Sequence, residues 1–436
     1  HRTQENESQI KAYTKSSNIV WDEADLLEFA RGNITNIFGE DYQIIDSYAR
    51  RVRLPLPPYL LVSRVTKINA KKGEFRPCSL TTEYDIPTNA WYSVDGQAPG
   101  CIAVESGQCD LLLISYLGID FENKGELVYR LLDCTLTFLD ALPKEGDTLR
   151  YDIKINSFAK SGDNLLFFFS YECFVKEKMV LKMDGGCAGF FSDQQLEQGK
   201  GIIVSDKDKA VIKQIKKQKF EPLLVSTKSS FDQTDILNLT QGNLSDCFGD
   251  HYCQHGLNSS LRLPSQRILM IDRITSIDAT GGNWGLGLIV AEKNLEPEHW
   301  YFPCHFKDDQ VLAGSLISEG CSQVLQFYLL FLGLHICTKD ARFQPIYGLP
   351  QKVRCRGQVT PISDKLIYQM EITEIGLTPH PYVKCNVDII LQDKTVVNFQ
   401  NLGLQLIEKN SFDSSLVDYK DNLSTPQKIK NKKPAL

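Results

Sequence analysis

The chain repeats itself once, at a spacing of about half its length. Asp25-Leu26-Leu27 through Phe38-Gly39 returns as Asp235-Ile236-Leu237 through Phe248-Gly249, and Arg53-Leu54-Pro55 returns as Arg262-Leu263-Pro264. Tyr59-Leu60-Leu61-Val62-Ser63-Arg64-Val65-Thr66 parallels Ile268-Leu269-Met270-Ile271-Asp272-Arg273-Ile274-Thr275, and Ala90-Trp91-Tyr92 parallels His299-Trp300-Tyr301. These blocks lie 209 or 210 residues apart, whereas Tyr116-Leu117-Gly118 and Phe331-Leu332-Gly333 lie 215 apart. The second copy therefore carries extra residues just after Trp300-Tyr301. Two repeats of this size predict a tandem pair of domains; a solenoid would stack many short units.

Each copy predicts the same succession of elements. A short alternating strand, Arg64–Asn69 or Arg273–Asp278, precedes a second, Glu74–Tyr84 or Asn283–Glu292. One apolar helix follows, Ile102–Leu117 in copy one and Leu316–Leu334 in copy two; its hydrophobicity runs almost all round, so it must be buried. Long runs rich in Val, Ile, Tyr and Phe come next: Tyr129–Leu139, Thr148–Phe158 and Asn164–Lys176, then Lys352–Val359, Lys365–Glu374, Tyr382–Leu391 and Thr395–Leu406. Turn residues such as Ser161-Gly162-Asp163 separate them. One buried helix followed by antiparallel strands that wrap it is an α+β layout, the hot-dog arrangement, and two such units make a double hot dog. The expected organisation is a tail at 1–19, unit one at 20–200, a charged linker at 201–230, unit two at 231–409 and a polar, disordered tail at 410–436.

Composition narrows the classes of function. The net charge is −6 over 436 residues, with no basic stretch interleaved with aromatics, so a nucleic-acid partner is not expected. The thirteen cysteines are scattered without metal-ligand spacing, which suggests reduced thiols and a cytoplasmic setting, with no metal. The start, His1 to Lys15, is polar and lacks the apolar core of a signal peptide, and beginning at His is expected of a segment cut from a longer polypeptide. Leu325–Leu334 is apolar but too short to span a bilayer, so no membrane insertion is expected.

The chemistry concentrates between Trp300 and Gln323. His305 stands in an aromatic setting before a loop that ends in Ala313-Gly314-Ser315 and opens the buried helix; Glu319 follows in its first turns and Gln323 one turn later. Removing water from a 3-hydroxyacyl thioester needs a base for the α-proton, and a neutral histidine suits this near pH 7. It also needs an acid for the departing hydroxyl, and a carboxyl in an apolar tunnel can stay protonated. The thioester oxygen gains charge as the proton leaves, and unpaired N–H groups at a helix N-terminus stabilise it, with Gly314 the candidate donor. Taken singly, each feature has a plainer reading: a packed histidine, a surface glutamate favoured by the helix dipole, a core helix. Their conjunction favours chemistry. His335 and His380 have no such setting; His299 is expected at the surface, and His251 and His255 in a loop.

This block resembles the active-site segment of FabA-like 3-hydroxyacyl-carrier-protein dehydratases, with His, Gly, acid and Gln in matching order. Arg354-Cys355-Arg356-Gly357-Gln358-Val359-Thr360-Pro361 is similar to that family's strand after the helix. The likeness is closer still to the tandem dehydratase modules of polyunsaturated fatty acid synthases. It spans roughly Trp21 to Glu408, including Arg53–Arg64, Glu105–Tyr116 and His299–Gln323. It implies dehydration of 3-hydroxyacyl chains, with enoyl isomerisation left open. The substrate would arrive on the phosphopantetheine of an acyl carrier protein and no other cofactor would be needed. Other synthase domains or subunits are implied as partners, and a homodimer is left open. Copy one has no histidine: where His305 would fall it reads Tyr92-Ser93-Val94-Asp95-Gly96, while it keeps Pro99-Gly100 and Glu105. In homodimeric relatives each site takes its histidine from one hot dog and its acid from the partner. Carried over, His305 faces Glu105, and Glu319 belongs to a vestigial site. Phe302, Cys304, Phe306 and Gln323, with Pro99, Gly100 and Gln108, are the expected tunnel lining. Gln108 follows Glu105 by three residues and Gln323 follows Glu319 by four, so the copy-one helix register is expected to differ. The rival readings are a hot-dog acyl thioesterase and a non-catalytic acyl-carrier docking module.

Overall fold

The computed structural model describes residues 18–162, 164–252 and 258–410. His255 and nearly all of the expected tails lie outside them.

Each copy opens with a helix fixed by the same device. In α1 (Glu23–Arg31), Asp22 and Asp25 form a reciprocal capping box; in α4 (Gln233–Thr240), Asp232 and Asp235 do the same. Such carboxylates satisfy N–H groups that a helix start leaves unpaired.

The strands of copy one are β1 (Arg64–Asn69), β2 (Cys78–Asp85), β3 (Val128–Phe138), β4 (Thr148–Ser161), β5 (Asn164–Val175) and β6 (Lys178–Phe191). Those of copy two are β7 (Arg273–Asp278), β8 (Leu288–Asn294), β9 (Ala341–Pro345), β10 (Gln351–Cys355), β11 (Lys365–Gly376), β12 (Tyr382–Leu391) and β13 (Lys394–Glu408). They run in the order β1-β2-β4-β5-β6-β3-β10-β13-β12-β11-β8-β7, with β9 added on β13. Burial alternates strictly along β2 and β12, so one sheet face makes the core. The two halves meet where β3 pairs antiparallel with β10, Cys134 opposite Val353. Arg356 reinforces that seam by holding Asp133 at 2.9 Å and the Leu132 carbonyl at 2.8 Å.

The buried helix of copy two is α6 (Gly314–Phe331), lying against β11, β12 and β13. Its counterpart in copy one is broken into α2 (Gly100–Ser106) and α3 (Asp110–Leu117), where one helix was expected. Gly107 sits at the break; a Cβ there would lie 2.6 Å from the Tyr171 ring, so only glycine admits that ring. Ser106 also turns its hydroxyl back to the Ile102 carbonyl, at 2.7 Å, a contact that bends helices. α2 packs directly on α6, so the two helices lie side by side inside one continuous double hot dog.

Two strands have no counterpart in the expectations from sequence. β6 contains Gly185-Gly186; Gly185 takes φ +61 within the strand, and a Cβ at Gly186 would meet the Phe169 carbonyl at 2.7 Å. β9 has only five residues, too few for alternation to stand out. No helix among the described residues is long and apolar enough to cross a membrane.

Candidate active site

His305 ends a single helical turn, α5 (Tyr301–Cys304), and its N–H is held by the Tyr301 carbonyl at 3.2 Å. The ring is buried, 9% exposed, with Nδ1 2.8 Å from the Val311 carbonyl. A carbonyl can only accept, so Nδ1 carries a proton, and in the neutral imidazole the lone pair is then on Nε2. Nε2 faces Glu105 of copy one, with Oε1 3.6 Å away.

Glu105 sits on α2 and is 8% exposed. Its other oxygen accepts the Ser315 hydroxyl at 2.5 Å, and the Ser315 oxygen lies 2.9 Å from the Tyr59 hydroxyl. Ser315 is the second residue of α6, so the start of the copy-two helix orients the copy-one acid. Gly314 and Ser315 also bring to this place N–H groups with no intrahelical acceptor.

The loop from Phe306 to Val311 is closed on itself and tied to copy one. Phe306 donates to the Asp309 carbonyl at 2.7 Å, and Val311 to the His305 carbonyl at 2.8 Å. Arg53, 1% exposed, donates to Asp308 at 2.6 Å and to the Phe29 and Gly32 carbonyls that end α1. Arg130 on β3 grips both oxygens of Asp309, at 2.5 and 2.8 Å, and reaches Gln358 at 2.9 Å. Two-pronged Arg–carboxylate pairs fix orientation as well as distance.

His305, Glu105, Gly314 and Ser315 share one cleft with about 980 Å³ of free space, its mouth included. Leu131, Leu136, Val353, Val397 and Phe399 form apolar walls, and Phe306 and Gln108 also line it. The rest of the expected lining lies elsewhere. Pro99 and Gly100 line a second cavity, because they start the copy-one helix on the far side of the helix pair. Phe302 and Cys304 pack in the core instead; Phe302 lies against Tyr301, and the Cys304 thiol turns to the Tyr301 carbonyl at 3.5 Å. Gln323 is fully buried, accepts from the Met270 N–H at 2.7 Å and donates to the Ile268 carbonyl and to Glu319, both at 3.0 Å. It is a clamp inside copy two and does not touch the cleft. Gln108, in the other register, instead points its amide at the Met183 sulfur, 3.9 Å away.

Glu319 lines the second cavity with Cys101. Burial pushes its carboxyl above the ordinary range, against the opposing hydrogen bonds of Gln323 and Cys101. His299 is half-buried, with Nδ1 accepting from the Glu296 N–H at 3.1 Å and 2.8 Å from the Tyr301 hydroxyl. His335 packs on Tyr252, and burial lowers its pKa to about 4. His251 lies in a short 3-10 turn, Asp250–Tyr252.

Residues 263–400, which carry His305, Gly314 and Glu319, match the family of FabA-like domains. The match lies wholly within the second unit. Across both units the chain is 42% identical, over 428 residues, to a polyunsaturated fatty acid synthase polypeptide of Thraustochytrium sp.; the match takes in 91% of this chain and 28% of that relative. The chain thus spans less than a third of the synthase polypeptide. Among solved structures, the dehydratase domain from the CurJ module of curacin polyketide synthase aligns with 79% of this chain and 96% of its own, at 9% identity and a TM-score of 0.41. A protein described as a putative oleoyl thioesterase of Lactobacillus plantarum aligns with 76% of this chain and 96% of its own, at 8% identity and a TM-score of 0.39. A dehydratase and a thioesterase stand equally near at that level, so these two likenesses do not choose between activities.

Proposed function

We propose that the chain dehydrates 3-hydroxyacyl thioesters to 2-enoyl thioesters within a larger lipid synthase. The observation that carries this reading is the pair at 3.6 Å: Nε2 of His305 from copy two against the Glu105 carboxyl from copy one, in an apolar cleft at a helix N-terminus. Nε2 removes the α-proton, the acid form of Glu105 delivers a proton to the C3 hydroxyl, the C–O bond breaks, and water leaves as the C2–C3 double bond forms. The Gly314 N–H receives the charge that gathers on the thioester oxygen. The proton now on His305 returns to Glu105 across the same gap, which restores both groups.

The apolar walls suit an acyl chain, and a thioester on the phosphopantetheine of an acyl carrier protein is the substrate form that fits a segment of a synthase. The reaction is redox-neutral, and its acid, base and oxyanion donor all come from the chain, so it calls for no further cofactor. A thioesterase would need a carboxylate poised to activate water; Glu105 is instead committed between Ser315 and the imidazole.

The test is turnover of 3-hydroxyacyl carrier protein, followed by enoyl absorbance and by water addition in reverse. His305→Ala should fold normally and lose about two to four orders of magnitude in rate. Activity within a few-fold of the parent, or release of free acid as the main product, would reject the reading.

A further inference from the structure

The repeat builds a second cavity, related to the first by exchange of the two copies. Gly100, Cys101 and Glu319 stand there where Gly314, Ser315 and Glu105 stand in the active cleft. It has about 810 Å³ of free space, its mouth included. It contains no histidine: copy one reads Tyr92-Ser93-Val94-Asp95-Gly96 where His305 would fall, and is a few residues shorter before its helix.

The shorter segment has a consequence at Arg262. Its counterpart Arg53 is fully engaged by Asp308 and by the carbonyls of Phe29 and Gly32. Copy one has no residue corresponding to Asp308, and Arg262, which lines the second cavity, has no hydrogen-bond or ion-pair partner among the described residues. Two further polar groups in the wall are buried without a partner among the described residues, Nε of Arg342 and Oε1 of Gln326. Arg262 is half-buried and lies between this cavity and a neighbouring one lined by Gln241, Ser265 and Gln266, a place where an anion can meet its guanidinium. The acids at hand are otherwise occupied. Asp95 is taken by Ser260 at 2.6 Å and Lys409 at 2.9 Å, and Glu319 is held toward its neutral form by burial. The remaining wall is apolar, with Phe138, Leu142, Phe343 and Leu404.

We propose that this second cavity binds a long-chain carboxylate, its head group on Arg262 with the Arg342 Nε–H and its chain along Phe138, Leu142, Phe343 and Leu404. The Gln326 amide, which can turn either end toward the ligand, completes the head-group site. A free fatty acid fits this description, whereas a neutral thioester offers the guanidinium a carbonyl acceptor but no charge. The proposal rests on this cavity alone and stands or falls apart from the dehydratase reading.

Calorimetric titration of the whole chain with dodecanoate, below its micellar concentration, tests it, with dodecanol as the control without a carboxylate. Saturable binding of dodecanoate, at least tenfold tighter than of dodecanol, is expected. Arg262→Ala should weaken it by about tenfold or more, the value of a lost charge-assisted hydrogen bond. Leu404→Trp, which fills the chain site and leaves the guanidinium in place, should abolish it, and circular dichroism checks that both variants fold. Val353→Trp, which obstructs the active cleft, should leave binding intact. Absence of binding, survival of binding in both second-cavity variants, or its loss in Val353→Trp alone would overturn the proposal.

Discussion

Two glutamates occupy equivalent places on paired helices, yet their surroundings separate them. Glu105 touches the imidazole and is oriented by Ser315; Glu319 is locked by Gln323 and faces a cavity with no histidine. Glu105→Gln should therefore lower kcat by two orders of magnitude or more, as loss of a general acid does, while Glu319→Gln should stay within a few-fold of the parent. Steady-state assays of both variants decide it, and the reverse ranking would move the acid to copy two without touching the dehydratase reading. Part of this centre was legible in the sequence because His305, Gly314 and Glu319 fall within one short segment. The relation of His305 to Glu105 needed the repeat, and the asymmetry of its two copies, to be seen. Tyr59 and Ser315 were missed. They meet across 256 residues of sequence, and Ser315 reaches Glu105 across 210. Hydroxyls paired at such separations leave no periodic mark, although the place of Ser315 beside Gly314 was a signal that could have been used.

At the scale of elements, the loop that follows His305 is held by the other copy. Arg130 lies on β3, 179 residues from Asp309, and its guanidinium fixes the loop next to His305. Arg130→Ala frees Asp309 and Gln358 together, so kcat should fall by about tenfold or more through misplacement of the imidazole. A lysine keeps the charge but not the planar fork, so Arg130→Lys should recover only part of the loss. Thermal unfolding run beside the assay separates the outcomes: if both variants lose stability in proportion to rate, Arg130 serves the fold and not the geometry of His305. Most strands were legible because one face is buried and alternation follows; β12 falls where the pattern puts it. The failures came where local chemistry overrides pattern. Gly185-Gly186 is a bulge inside β6, and Gly107 interrupts the helix within the polar stretch Glu105-Ser106-Gly107-Gln108. Neither event can be read without knowing that Phe169 and Tyr171 press on those glycines.

On the scale of the whole molecule, each unit completes the other: the sheet runs through the β3–β10 seam, α2 lies on α6, and the active cleft has walls from both. Asp95 shows how polar contacts add to that union. It lies in the copy-one turn that replaces the His305 loop, with φ +49, and all its charged partners belong to copy two: Lys409 at 2.9 Å and Arg342 at 3.4 Å, beside the Ser260 hydroxyl at 2.6 Å. Burial pushes its pKa up, but the hydrogen bonds from Ser260 and Lys409 outweigh burial and bring it down to about 2. The unfolded chain should hold this group near the ordinary value of about 3.9, so between the two values the unfolded state binds more protons and stability rises with pH. The contribution is thus present above about pH 4 and is lost as pH falls toward 2. Asp95→Asn removes the charge and leaves Lys409 and Arg342 unmatched. It should cost about 1 to 2 kcal/mol at pH 7, and the gap between variant and parent should narrow steadily below pH 4. Urea unfolding at pH 7, 4 and 3 measures this directly; a difference that stays constant across that range would mean that the turn is held by its backbone and packing, and that the charge on Asp95 contributes nothing to joining the two units.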